Sequence, residues 1–198
     1  MAGKKKNHGD NICRLSLSVL FIILVFAPHS YAEDRSAHRI GIVSSYKSYS
    51  LNYITSSPKH INGFDELSLI MDCYGLYNDA ISSPGFKLDY SHNTIIKRIV
   101  LNEEIAYIVY AGAGGLIGYV KDYSELPRNY GGIVGLSTKI GSIVAFRNSN
   151  FEIGLSFTAE WALHLRRMEE SHGKLGLSWY ANGLIWAFVP QISIFRRF

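Results

Sequence analysis

Ser156, Glu160 and His164 recur at every fourth residue of one short stretch, and a hydroxyl, a carboxylate and an imidazole are the groups from which a hydrolytic relay is assembled. The stretch itself decides how they lie. From residue 151 to residue 165 every odd position is apolar (Phe151, Ile153, Leu155, Phe157, Ala159, Trp161, Leu163, Leu165), and every even position is polar or small. A period of two is that of a β-strand, whose successive side chains point to opposite faces. Ser156, Glu160 and His164 therefore share a face, but neighbours in that row stand roughly 13 Å apart, and a base must come within about 3 Å of its nucleophile. A working set would need a group from another strand, with Ser178 as the candidate. The spacing thus predicts no catalytic residues, and His164 is read as a satisfied interior histidine.

Charged residues elsewhere follow the same alternation. Arg39, Lys47, Lys87 and Lys139 fall on the polar faces of alternating segments, as do Glu66, Asp72, Asp89, Glu152 and Glu160. Mixed signs in near balance predict a paired network inside the fold, because an unpaired buried charge is costly. Glu160 is expected to pair with Lys139 from the adjacent strand. Gly112, Gly114, Gly115 and Gly118 invite comparison with a phosphate-binding loop, but the third glycine of that motif would fall at Ile117. They are read as positions where a strand bends or where neighbours pack closely. No cofactor and no metal is expected.

The elements that must position these groups are strands. Segments 39–49, 64–77, 86–91, 104–119, 133–146, 151–165, 174–181 and 184–198 each show alternation, the third fading where Ile95, Ile96, Lys97, Arg98, Ile99, Val100 and Leu101 lose it. Asn182 and Gly183 form the strongest short hairpin signal in the chain. Alternation sustained over some 15 residues exceeds what most soluble strands need and suits a tilted strand crossing a bilayer, which takes roughly 9 to 11 residues. The fold class read here is all-β, a closed antiparallel up-and-down transmembrane barrel of eight strands. Closure satisfies every backbone group that lipid cannot.

The N-terminus predicts export. Lys4, Lys5, Lys6 and Arg14 precede an apolar run over residues 15–27, followed by Ser30 and Ala32, which is the layout of a signal peptide ending at residue 32. The barrel domain is then 33–198. The leader carries four of the cations against Asp10, a net +3 of the chain's +4, so the remainder is close to neutral and nucleic-acid binding is not supported. Cys73 is the lone cysteine after the leader, which excludes an intrachain disulfide and a cysteine-based metal site. No second long apolar run follows, which excludes a bundle of membrane helices.

The leader, the alternating strands and the terminal Phe198 behind Ile192 and Ile194 resemble the small outer-membrane barrels of the OmpA transmembrane-domain and OmpX type. Residues 110–122 (YAGAGGLIGYVKD), 155–164 (LSFTAEWALH) and 180–198 (YANGLIWAFVPQISIFRRF) look more closely like uncharacterised outer-membrane barrels of gut-dwelling Gram-negative bacteria. The resemblance implies the outer membrane as location and Ile192, Ile194 and Phe198 as a signal to the barrel assembly machinery. It also implies contact with outer-membrane lipid and lipopolysaccharide as a monomer, the latter through Arg166, Arg167, Arg196 and Arg197. A periplasmic C-terminus is expected to put residues 147–150 and Asn182-Gly183 outside, a departure from the long external loops of OmpX. The function expected is a structural or surface-interaction barrel with a largely filled lumen. The alternatives are a lipid-modifying enzyme like the lipid A deacylases, drawing on Ser156, Glu160, His164 and Ser178, and a small-solute channel.

Overall fold

The computed structural model describes residues 38–56, 62–73, 84–122, 130–146, 148–167 and 174–198, with the side chain of residue 167 left aside; the predicted leader, residues 1–32, lies outside them. Among the described residues nine strands are formed: β1 (His38–Ser44), β2 (Ser48–Thr55), β3 (Gly63–Asp72), β4 (Gly85–Val100), β5 (Ile105–Lys121), β6 (Tyr130–Phe146), β7 (Phe151–Arg167), β8 (Leu175–Trp179) and β9 (Gln191–Arg197). One short helix, α1 (Ala181–Ile185), separates the last two.

Each strand from β1 to β7 pairs antiparallel with the next, and β9 pairs with both β1 and β7, which closes the sheet. β8 and β9 both lie along β7, β8 against its upper part through Leu163↔Trp179 and β9 against its lower part through Ser156↔Gln191. Together they make one stave. The result is a closed eight-stranded antiparallel barrel. Following the register once around, from Val100 through Ala106, Ala145, Glu152, Phe195, Gly41, Asn52 and Ser68, returns to β4 at Asp89. That displacement along one strand is the stagger that tilts the strands of a small barrel.

The count of eight agrees with the sequence reading, yet by two compensating differences. The expected strand 39–49 is two strands, turned at residues 45–47 without glycine or proline. There the Ser48 amide donates to Ser45 Oγ at 3.1 Å, and the Ser45 hydroxyl lies 3.3 Å from the Ser48 carbonyl. A serine side chain stands in for backbone turn chemistry, a weaker signal than Asn-Gly. Conversely, the expected strands 174–181 and 184–198 are halves of one stave, and Asn182-Gly183 is no hairpin. Both residues are buried in α1, and a Cβ on Gly183 would meet the Glu160 carbonyl oxygen, so tertiary contact overrides the local preference. β4 also runs on past the fading alternation, through a bulge at Ile96 that explains the loss of period.

The chain ends also fall differently. Both described ends, His38 and Phe198, lie together, joined by the Phe198 amide donating to the His38 carbonyl at 3.1 Å. By strand parity the connections 101–104 and 148–150 lie at that same end, opposite to the expectation for residues 147–150. The connections of 12, 8 and 7 residues after β3, β5 and β7 lie at the other end. The 7-residue connection after β2 lies with the chain ends and the 3-residue turn after β1 opposite them, so the two ends differ in degree.

Candidate functional site: the barrel interior

Inward positions on β5, β6 and β7 carry many glycines because a narrow barrel brings strands together at its inner face. A Cβ on Gly114 would strike the Tyr90 carbonyl on β4, and one on Gly135 the Trp161 carbonyl on β7. Space saved there is filled from other staves. Toward the chain ends Val43, Ile54, Phe64, Ile108, Tyr110, Ile143 and Phe195 form a buried apolar cluster. Toward the other end Leu116, Val120, Ile133, Ala162 and Tyr180 form a second cluster.

The charges occupy the interior with these clusters. All nine residues expected in the network (Arg39, Lys47, Glu66, Asp72, Lys87, Asp89, Lys139, Glu152, Glu160) are buried. Arg39 Nη1 meets Glu152 at 3.0 Å, its guanidinium 5.0 Å from the centre of the Phe64 ring, and Arg197 Nε approaches the same carboxylate at 3.7 Å. Lys87 Nζ donates to both Glu160 oxygens at 2.6 and 2.7 Å. Lys139 Nζ lies 2.9 Å from Glu66, whose carboxylate also accepts from Asn52 and, at 3.3 Å, from Asn93. Asp89 accepts from the Ser137 hydroxyl at 2.5 Å, Asp72 from the Tyr180 hydroxyl at 3.4 Å. Lys47 sits at the β1–β2 turn, close enough to Glu160 and Asp72 to feel both charges.

The partner expected for Glu160 is therefore corrected. Lys139 stands opposite Thr158 and Glu160 opposite Ser137, which makes the two diagonal neighbours on the wall. Each instead reaches across the lumen, Lys139 to β3 and Glu160 to β4. Bidentate contact explains the choice, since a charge removed from water gains most from several short hydrogen bonds.

The hydrolytic candidates are spread over separate environments. The Ser156 hydroxyl donates to Gln191 Oε1 at 3.3 Å, joined there by Thr158 at 3.0 Å. Glu160 is held by Lys87. His164, fully buried, has its ring 6.4 Å from that of Tyr180 and stands in register with Ser178, yet the buried Ser178 hydroxyl has no hydrogen-bond partner among the described residues. No nucleophile–base hydrogen bond joins these four residues.

Sequence reasoning missed the residues that hold α1. The Ala181 amide donates to Asp122 Oδ2 at 2.7 Å, the Tyr180 amide to the Ala162 carbonyl at 2.9 Å, and Lys87 Nζ lies 5.7 Å from the centre of the Tyr180 ring. Asp122 follows a long strand, and nothing local marks it as an anchor for a helix far along the chain. Ile192 and Ile194 point outward and exposed, whereas Phe198 is half-buried with the Arg196 guanidinium 5.6 Å from its ring centre.

The outer face is apolar almost throughout. Leu51, Leu67, Leu69, Phe86, Leu88, Ile117, Val134, Leu136, Ile140, Leu155, Trp161 and Leu163 are all exposed on it. Polar pairs occur near its margins: His38 with Tyr53, their ring and hydroxyl 2.7 Å apart, and His92 with Asp65 at 2.8 Å. Tyr119 stacks on Tyr130 toward the other end, and Lys121 Nζ lies 5.3 Å from the Tyr130 ring centre. Compared with known protein families, with curated proteins and with solved structures, the chain matches none.

Proposed function

We propose that this chain is an integral outer-membrane barrel with a structural or surface-interaction role, resembling the OmpA transmembrane-domain and OmpX type, and that its filled interior does not conduct. The observation that carries the reading is the inversion of polarity: large apolar side chains exposed around the outer face, and the nine network charges, five carboxylates with four cations, buried. In water the exposed belt would be a liability for association. In a bilayer it is the required surface, with aromatic residues at its margins. Three of the four connections opposite the chain ends have 12, 8 and 7 residues, against 7, 4 and 4 at the end that holds them, which supports a periplasmic C-terminus. The reading includes cleavage of a leader after residue 32, delivery by the barrel assembly machinery through Ile192, Ile194 and Phe198, and contact of the rim with lipid and lipopolysaccharide.

Membrane fractionation of the full chain tests this. The protein should partition with the outer membrane, migrate faster unboiled than boiled, and leave planar bilayers without resolved conductance steps. Recovery in the soluble periplasm would refute the membrane assignment, and steady channel openings would refute the filled lumen. Deleting Phe198 should lower the folded, heat-modifiable fraction, and unchanged folding would remove the assembly signal from the reading.

A further inference from the structure

Among the described residues the lower part of β4 has a partner strand on one side only. Pairing with β3 stops at Gly63↔Thr94, followed by a single bond from the Ile95 amide to the Asn62 carbonyl at 2.7 Å. β4 continues to Val100 paired with β5 alone, so among the described residues alternate backbone N–H and C=O groups of residues 96–100 meet no partner strand. The side chains are exposed on both faces: Ile96 at 62%, Val100 at 53% and Leu101 at 65% of full exposure, together with Lys97, Arg98 and Ile99. This is the same run whose alternation fails in the sequence. No interior packing and no belt of lipid contacts accounts for a segment apolar on both faces.

An unpaired edge rich in β-branched residues is a template for one more strand. Its charges say which strand. Successive residues point to opposite faces, so Lys97 and Arg98 put one cation on each face of the edge. A second copy would bring the same two cations to the same short edge, and like charges opposite one another destabilise strand pairs. An acidic strand would meet complementary charge on both faces. We infer that residues 96–100 of β4 are a docking edge for an extended acidic polypeptide segment, which adds antiparallel or parallel beside β4 at the end of the barrel that holds the chain ends. The inference stands whether or not the barrel lies in a membrane.

The test uses the full barrel folded in zwitterionic detergent and a labelled, end-blocked peptide of alternating valine and glutamate. Anisotropy should rise on titration, the affinity should fall with added salt, and the peptide should protect backbone amides of residues 96–100 from hydrogen exchange. The charge-reversed double variant Lys97→Glu/Arg98→Glu, at exposed positions that leave the fold intact, should bind about tenfold more weakly or worse, from two exposed pairs worth up to about 1 kcal/mol each. Lys97→Arg/Arg98→Lys should bind as the parent does. Equal binding by the charge-reversed variant, protection elsewhere than on the edge, or concentration-dependent dimerisation without peptide binding would each overturn the inference.

Discussion

The two ends of β7 are closed in different ways. At Phe151–Ser156 a regular ladder to β9, itself paired with β1, completes the ring, and the Glu152 carboxylate nearby is served by two guanidinium groups, Arg39 and Arg197. Between Phe157 and Ala162 the eighth stave breaks, and α1 occupies the space with Gly183 against Glu160, whose carboxylate is hydrogen-bonded, among the described residues, by Lys87 alone, with Lys47 near enough to add its charge. Where backbone pairing closes the wall, side chains can be redundant. Where it does not, closure falls to single contacts: one lysine, one glycine and one aspartate at the helix start.

That difference predicts unequal costs for similar substitutions. The largest effect is expected at Lys87→Met, which leaves the Glu160 carboxylate buried without its lysine, at about 3 to 5 kcal/mol. Arg39→Met should cost clearly less, because Arg197 remains near Glu152. Urea unfolding of the refolded barrel measures both, and equal losses would show the seam and the break to be energetically alike. Adding Glu160→Gln to Lys87→Met should recover part of the loss as a coupling energy.

Next in size is the ladder's outer face. Leu155→Arg should destabilise the barrel in lipid by about 2 to 4 kcal/mol, while Ser156→Ala, one residue on and facing the lumen, should change stability little. Similar effects at the two positions would mean that the faces are wrongly assigned.

Gly183→Ala follows, at about 1 to 3 kcal/mol, since the new methyl group runs into the Glu160 backbone and side chain and must push α1 outward. Gly115→Ala on the continuous wall meets nothing closer than the Gly135 carbonyl at 3.8 Å, and should stay within roughly 0.5 kcal/mol of the parent. Thermal unfolding in one detergent compares the pair directly. Smaller than Gly183→Ala is Tyr180→Phe, which removes a hydroxyl donated to Asp72 at 3.4 Å and should cost about 1 kcal/mol. A loss as large as that of Lys87→Met would mean that the hydroxyl, more than the ring, anchors the break.

Much of this was legible in the residues. The period of two in 151–165 placed Leu155 outward and Glu160 inward, and the same rule put all nine network charges on the buried side. Ile108 and Tyr110, which spoil the polar face of β5, proved to be members of the apolar cluster near the chain ends. The break in the last stave was not legible, because Asn182-Gly183 is a strong local signal and the contacts that override it come from β7 and from the end of β5.

By itself the sequence determined the strand period, the polarity of each face and hence a barrel with charge inside and apolar surface outside. These follow from backbone geometry that every strand shares. Only the tertiary structure decided which charges pair, where the wall opens and which edge of β4 has no partner among the described residues. Those outcomes depend on the stagger accumulated around the closed sheet, which brings Lys87 to Glu160 and Lys139 to Glu66 across the lumen. No local window contains that sum, since each strand contributes a fraction of the tilt and only closure fixes the total.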